Sequence, residues 1–218
     1  MKKLNFLIGS GPTREYIDPV RFITNASSGK MGAAIANAAI SAGHNVKIVS
    51  GPVNIKYPLQ AEVEEVTTAV DMYKAVMDSF AECDVIIMTA AVCDYRPARM
   101  APQKIHKSDQ TFILRLERNP DILFEISRIN KDKVIVGFAA ETNDIIVSAR
   151  RKLEKKNMDL IIANEVGNSN FGFGAEKIKA TMIFKTGESR ELGQCKKKEV
   201  AKIIIEESEK FYNQKPNT

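Results

Sequence analysis

The sequence predicts an α/β fold, a Rossmann-like, doubly wound and mostly parallel sheet with a C-terminal antiparallel hairpin and a mobile flap loop. Three observations carry that prediction. Short apolar runs alternate with amphipathic stretches from the first residues onward, the βαβα order of a parallel sheet. The first run ends in a polar, glycine-bearing loop that gives way to Ala33-Ala34-Ile35-Ala36, so strand, loop and helix start follow one another as they do where α/β proteins bind phosphates. Beyond Asn164 the pattern changes to two runs around Thr186-Gly187-Glu188, which reads as a hairpin.

Each element has its own warrant. Continuous apolar or β-branched runs predict strands at residues 4–8, 46–50, 61–66, 85–91, 112–117, 134–139 and 160–164. Helical spacing of apolar positions predicts helices at 31–41, 71–83, 120–130 and 143–157. The hairpin pairs 180–185 with 189–192, and a final helix covers 196–212. Two polar segments interrupt this order: the opening loop, with Arg14, Glu15, Asp18, Arg21, Asn25, Ser27, Ser28 and Lys30, and residues 93–110, "CDYRPARMAPQKIHKSDQ". Both leave the carboxyl end of a strand, where open α/β sheets bind ligands, and aperiodic polar loops this long are usually functional or disordered.

Composition narrows the possibilities. With 218 residues, 44% hydrophobic and 27% charged, the chain has enough apolar material for a substantial core, and one domain over 1–218 is expected. No run approaches the ~20 apolar residues of a membrane helix, and Lys2-Lys3 leads straight into a strand rather than a signal peptide, so no membrane partner and a cytoplasmic location are expected. Cys83, Cys93 and Cys195 form no C-x-x-C pair and His44 and His106 lie far apart, which argues against structural zinc and a disulfide framework. The net charge of +5 is spread among 27 acidic residues without interleaved aromatics; a small, highly anionic ligand explains it as well as nucleic acid does.

The motifs taken singly leave alternatives open. "SSGKMG" fails as a P-loop, because Thr24 stands where the first glycine belongs and Met31 follows Lys30 where Ser or Thr is required. What remains is a helix start at Ser27-Ser28-Gly29, either an ordinary N-cap or an anion site. A dinucleotide site wants an acidic residue at the end of the second strand, where "VKIVSGP" offers Ser50, and no Tyr-x-x-x-Lys pair occurs. In "ARRKLEKK", Lys152 and Lys156 share a helical face, a solvated basic face or a pair of ammonium groups for a triphosphate. Cys93 reads as a small packing residue, and both histidines default to structure, with His106 set among the flap lysines.

In combination they say more. "GPTRE", "DPVRFITNASSGKMG", "AAVCDYRP", "PQKIHK", "NPDIL", "GFAAET" and "ANEVG" follow one another as in the phosphopantothenoylcysteine synthetase family, which the chain resembles over nearly its whole length. The resemblance implies a CTP- and Mg2+-dependent ligase of coenzyme A biosynthesis that is a homodimer. Such an enzyme activates 4'-phosphopantothenate as an acyl cytidylate and passes the acyl group to L-cysteine. Because the chain starts at the synthetase's first strand, a separate phosphopantothenoylcysteine decarboxylase would supply the step that follows.

By the same resemblance, Asn25 holds the acyl intermediate and Lys104 is the first flap lysine on the phosphates. Ser28, Gly29, Ala90, Ala91 and Asp94 contact substrates. Asp94, Lys104, Asn119, Pro120, Asp121, Ile122, Phe138, Lys152 and Lys156 surround the nucleotide, and Arg21 reaches a neighbouring subunit's site. Three positions depart from the family's pattern: His106 replaces a flap lysine, Cys93 stands where alanine is common, and Ile178 where a polar residue is common. The competing readings are a Rossmann-like NAD(P)-binding oxidoreductase and a non-catalytic binder of anionic ligands.

Overall fold

A computed structural model of the chain describes residues 2–107, 111–141, 144–165 and 175–215. In chain order the first half comprises β1 (Asn5–Ser10), β2 (Arg14–Tyr16), β3 (Phe22–Thr24), α1 (Lys30–Ser41), β4 (Asn45–Ser50), β5 (Glu62–Glu65), α2 (Ala69–Phe80) and β6 (Val85–Met88). The second half adds β7 (Tyr95–Pro97), β8 (Leu116–Arg118), α3 (Ile122–Ile129), β9 (Val134–Glu141), α4 (Ile145–Lys155), β10 (Leu160–Glu165), β11 (Lys177–Phe184), β12 (Ser189–Lys196) and α5 (Lys197–Gln214).

One eight-stranded sheet runs β12-β11-β10-β9-β6-β1-β4-β5. The strands from β10 to β5 pair in parallel, and β11 and β12 extend the sheet in antiparallel fashion. Its centre is apolar on both faces, as parallel strands covered by helices must be, and β6 is buried at all four positions, Val85 to Met88. One face packs Phe6, Ile8, Ile87 and Ile162 under α1 and α5; the other packs Leu7, Ile86, Ile135 and Ile161 under α2, α3 and α4. The edge strand β5 is acidic, and Lys47 of β4 reaches Glu62 at 3.1 Å and Glu64 at 3.2 Å, a charged border that discourages further strand addition.

Four expectations change. The strand expected at 85–91 leaves the regular ladder after Met88, although Thr89 still donates to the Gly9 carbonyl at 2.8 Å and Ala91 to that of Gly11 at 2.9 Å. The run at 112–117 does not join the sheet: only Leu116–Arg118 is a strand, paired with β7 in a two-stranded ribbon, and Phe112 and Ile113 are exposed. Every edge of β6 and β9 is already taken, so an apolar run there has no ladder to enter. The opening loop, read as irregular, contains the β2–β3 hairpin, in which the Arg14 guanidinium lies over the Phe22 ring. Helix α2 starts two residues earlier than expected, at Ala69, because Thr68 and Asp71 form a capping box.

Asp18 ties the two polar segments together. Its buried carboxylate accepts the N–H groups of Val20 and Arg21, both at 2.8 Å, and of Ile105 at 3.1 Å, and pairs with the Arg21 guanidinium at 2.9 Å. Burial pushes the carboxyl pKa up, but those three N–H groups and the guanidinium outweigh it and hold the group below its ordinary value. The anchor is therefore intact above the ordinary carboxylate pKa and is lost as pH falls through the lowered one. Asp18→Ala should abolish hydrogen-exchange protection at Val20, Arg21 and Ile105 while leaving Ile8 and Ile48 protected. In the wild-type protein the same loss should begin only below about pH 3.9; full protection of Ile105 in the variant would show that Asp18 is not the anchor.

Candidate functional site

The order in which strands are added across the sheet reverses at β1. From its carboxyl end the chain crosses to β4 on one side, whereas the chain leaving β6 crosses to β9 on the other, and the crevice opened between them is where doubly wound sheets take ligands. A cleft of about 460 Å³ occupies that position. A larger hollow of about 670 Å³ lies at the opposite edge, among Lys3, Asn5, His44 and Lys47 at the amino ends of β1 and β4. Its polar groups serve the fold: His44 Nδ1 accepts from the Leu4 N–H at 3.2 Å and Nε2 meets Glu209 at 2.9 Å, so this hollow is not where the chemistry converges.

The cleft begins at α1. Gly29 is the N-cap, with φ of 75°, and no side chain caps the helix. That backbone conformation suits glycine, and a Cβ would also stand 2.9 Å from Val53. From beneath, the Ser10 hydroxyl donates to the Gly29 carbonyl at 3.4 Å, the Tyr57 hydroxyl donates to Ser10 at 2.9 Å, and Ser50 meets Tyr57 at 2.8 Å. The first turn, Lys30, Met31 and Gly32, lines the cleft beside Ser27 and Ser28. Of the two readings of this helix start, the geometry favours the anion site, because the serines do not cap the helix and its positive end faces the cleft.

Asn25 sits across from this turn. Its amide nitrogen donates to the carbonyls of Ala91 at 3.0 Å and Val92 at 3.2 Å, which joins the opening loop to the end of β6. Nearby, the Thr24 hydroxyl donates to the Thr13 carbonyl at 2.7 Å, and the Thr13 hydroxyl accepts the Cys93 N–H at 3.0 Å. The buried Glu15 accepts the Ala69 N–H at 2.9 Å and fixes the same loop to α2. Both amide hydrogens of Asn25 are thus engaged with backbone, and donating to a bound acyl oxygen would require exchanging one of them. Burial, the dominant influence, raises the Cys93 thiol pKa, which disfavours a thiolate and fits a packing role.

The far wall is equally constrained. Asn119 donates to the Cys93 carbonyl at 2.8 Å and accepts from Arg96 at 2.9 Å, and Arg96 pairs with Glu117 at 2.7 Å. Asp121 caps α3 by accepting from Phe124 at 3.2 Å and also meets Lys156 at 2.8 Å. Ala149 and Leu153 of α4 are buried, which turns Lys152 and Lys156 toward the cleft. Ala90, Ala91, Asp94, Pro120, Ile122 and Phe138 complete the expected set on this cleft.

Two expected residues are elsewhere. Arg21 is bound to Asp18 and to the Ile105 carbonyl, and Lys104 is exposed in the flap beside exposed His106; none of the three lines the cleft. The flap tip, residues 108–110, lies outside the described residues, as does most of "NEVGNSNFGFGAE". Lys30, Asn164, Ile178 and Lys197 also line the cleft, although none was among the expected site residues: Lys30 and Asn164 occur within "SSGKMG" and "ANEVG", Ile178 as a departure from the family's pattern, and Lys197 in no motif. The Asn164 side-chain oxygen is buried with no partner among the described residues.

Among the described residues no three His, Cys, Asp or Glu side chains gather as a metal cage. Magnesium does not require one, since one or two carboxylates with substrate phosphates and waters suffice, and Asp94 on the cleft wall fits that need.

Comparison with known proteins agrees with this geometry. Residues 1–211 match the family described as DNA/pantothenate metabolism flavoprotein C-terminal domain. The coenzyme A biosynthesis bifunctional protein CoaBC of Bacillus subtilis is 46% identical over 202 residues, 92% of this chain and 50% of that protein. The chain therefore spans about half the length of the curated relatives it matches. A crystal structure of the C-terminal domain of a CoaBC protein superposes with a TM-score of 0.84 at 39% identity, covering 98% of this chain and 97% of that one. A Cab2 mutant in complex with phosphopantothenate-cysteine superposes with a TM-score of 0.78 over 96% of this chain and 88% of that one, and at 17% identity speaks to the fold alone. With its doubly wound sheet and its crevice lined from several separate segments, the chain belongs to the DNA/pantothenate metabolism flavoprotein C-terminal domain family.

Proposed function

We propose that the chain joins 4'-phosphopantothenate to L-cysteine through an acyl cytidylate, with CTP as the activating nucleotide. The observation that carries this reading is the convergence on one cleft of Asn25, the α1 N-terminus, Ala90, Ala91, Asp94, the Asn119–Pro120–Asp121–Ile122 loop, Phe138, Lys152 and Lys156. A carboxylate at neutral pH is a poor electrophile and must be activated before an amine can attack it. Its oxygen attacks the α-phosphorus, an acyl–O–P bond forms, the bond to the β-phosphate oxygen breaks, and pyrophosphate leaves. The cysteine amine then attacks the acyl carbon and displaces CMP, a leaving group that departs without prior protonation.

Charge and position are what the protein supplies. Lys152 and Lys156 face the triphosphate, with Asp121 holding Lys156 in place. Asn25 exchanges its longer bond, to Val92, for the acyl oxygen as charge develops there. Small side chains at Ala90 and Ala91 let the acyl phosphate approach the strand end. Magnesium, bound by Asp94 and phosphate oxygens, would offset the charge gained by the departing pyrophosphate. The flap carries Lys104 toward the phosphates, anchored at its base by Asp18.

Assembly belongs to the same proposal. Exposed Val20, Phe22, Tyr95, Met100, Phe112, Ile113 and Leu116 lie on the β2–β3 and β7–β8 ribbons, which pack on each other, and on the loops beside them, and apolar side chains shown to water in this way suit a subunit interface. A homodimer formed there places Arg21 at the neighbouring subunit's cleft. No described helix is long and apolar enough to cross a membrane, and the unpaired Cys83, Cys93 and Cys195 suit the reducing cytoplasm.

A pyrophosphate-release assay with each of the four nucleotides tests the reading. CTP should support turnover with 4'-phosphopantothenate, and CMP should appear in quantity only after cysteine is added. CMP release that ignores cysteine, or ATP outperforming CTP, would overturn it. Asn25→Asp sets a carboxylate oxygen against the Ala91 and Val92 carbonyls and removes the donor. Pyrophosphate formation should stay detectable while cysteine-dependent CMP release falls by about 10²–10³, with the acyl cytidylate visible by mass spectrometry; normal release would remove Asn25 from its role. Lys104→Ala should slow pyrophosphate release more than it weakens CTP binding, because the flap acts on charge that shifts during activation. An unchanged rate would exclude Lys104 from the first step.

A further inference from the structure

One corner of the cleft adds to the α1 N-terminus groups that the reading above does not use. Helices α1 and α5 pack side by side, and both begin at the carboxyl edge of the sheet, so that two positive helix ends meet there. Each contributes the first lysine of its helix, Lys30 and Lys197, to the cleft wall. Lys30 Nζ pairs at 2.5 Å with Glu176, whose backbone carbonyl accepts the Lys197 N–H at 3.2 Å. The corner is already arranged around one carboxylate.

We propose that Lys30, Lys197 and the two helix N-termini form a phosphate subsite in which the Glu176 carboxylate stands where a ligand's phosphate binds and is displaced by it. This deepens the ligase reading and rests on it for the identity of the ligand. Three observations support it. Lys197 is half-buried, and its ammonium pKa is lowered first by burial and then by Lys30, with the Glu176 carboxylate opposing the shift, so the corner holds two cations close enough to repel. Glu176 has the opposite disposition: its side chain is 82% exposed, so it can swing into water at little cost, and the Lys30 ammonium draws its pKa down. Lys152 and Lys156 project from α4, which packs on the opposite face of the sheet from α1 and α5, so the cleft offers cations on two sides for a ligand with phosphates at both ends. An acyl substrate that itself carries a phosphate, set beside a triphosphate, is such a ligand.

Calorimetric titration of the wild-type chain and of Lys197→Met, Lys197→Arg and Glu176→Gln decides it, with inorganic phosphate, 4'-phosphopantothenate, pantothenate, CTP and CMP as probes. Lys197→Met should weaken phosphate-bearing ligands about tenfold or more, in line with loss of a charge-assisted contact, and Lys197→Arg should restore most of that. Glu176→Gln should tighten inorganic phosphate by roughly threefold or more, because the competing carboxylate is gone. A Lys197→Met loss seen with 4'-phosphopantothenate and not with pantothenate assigns the corner to the acyl substrate's phosphate; a loss seen with CTP and not with CMP assigns it to the triphosphate. Equal affinities of the wild-type and Lys197→Met chains for every phosphate-bearing probe overturn the subsite. So does unchanged phosphate affinity in Glu176→Gln, a surface change that leaves both helices intact. Lys197-dependent binding of inorganic phosphate by a wild-type chain that takes neither 4'-phosphopantothenate nor CTP would sustain the subsite while sinking the ligase reading.

Discussion

Parallel pairing of β1 between β4 and β6 is the constraint on which the site depends. Because a parallel neighbour can be reached only by a crossover, the chain leaving β1 must travel one way and the chain leaving β6 the other. Two long polar segments therefore part over the carboxyl edge of the same pair of strands. They are then stitched together by short-range bonds: Arg14 N–H to the Thr67 carbonyl at 2.8 Å, Cys93 N–H to Thr13, and the Asn25 amide to Ala91 and Val92. Every one of these anchors refers back to a strand end, so the precision of the cleft is inherited from the sheet rather than from the loops.

The same cleft shows how a basic site is kept in order. Four lysines line it, Lys30, Lys152, Lys156 and Lys197, and unshielded they would repel one another. Among the described residues, Lys30 pairs with Glu176 and Lys156 with Asp121. Such pairing holds long flexible side chains near the positions they are to occupy, and so reduces the entropy lost when an anionic ligand arrives. Asp121 is fixed by its role as N-cap of α3 and cannot easily leave, whereas Glu176 is exposed. The two internal counter-ions are thus of different kinds.

Much of the fold was readable from the sequence because parallel strands buried on both faces appear as unbroken apolar runs, as in "FLIG" and "VIIM". The exception is instructive. Residues 112–117 have an apolar pattern but no vacant ladder beside them, and periodicity does not say which runs find a neighbour. The β2–β3 hairpin has three-residue strands, too short for any period to register. Of the site, the family-like strings located Asn25, Asp94, Asn119 and Lys156 because each lies just past a strand end or on a helix with a clear apolar face. Lys197 was hidden for the opposite reason. It is the second residue of "KKKEV", a string that reads as any solvated helix start, and only the packing of α5 on α1 brings it to the cleft.

That packing joins elements far apart in the sequence. Ile35, Ala36 and Ala39 of α1 and the β1–β4 surface beneath them share one core with Val200, Ala201, Ile204 and Ile205 of α5. During synthesis β1 and α1 appear long before the residues of α5 that cover this face. Until then a broad aliphatic surface has no native cover, and long-range closure of this kind is slow and exposed to aggregation. This face, and with it one side of the cleft, is completed only once α5 has been made, which makes that helix the timing element of the fold's maturation.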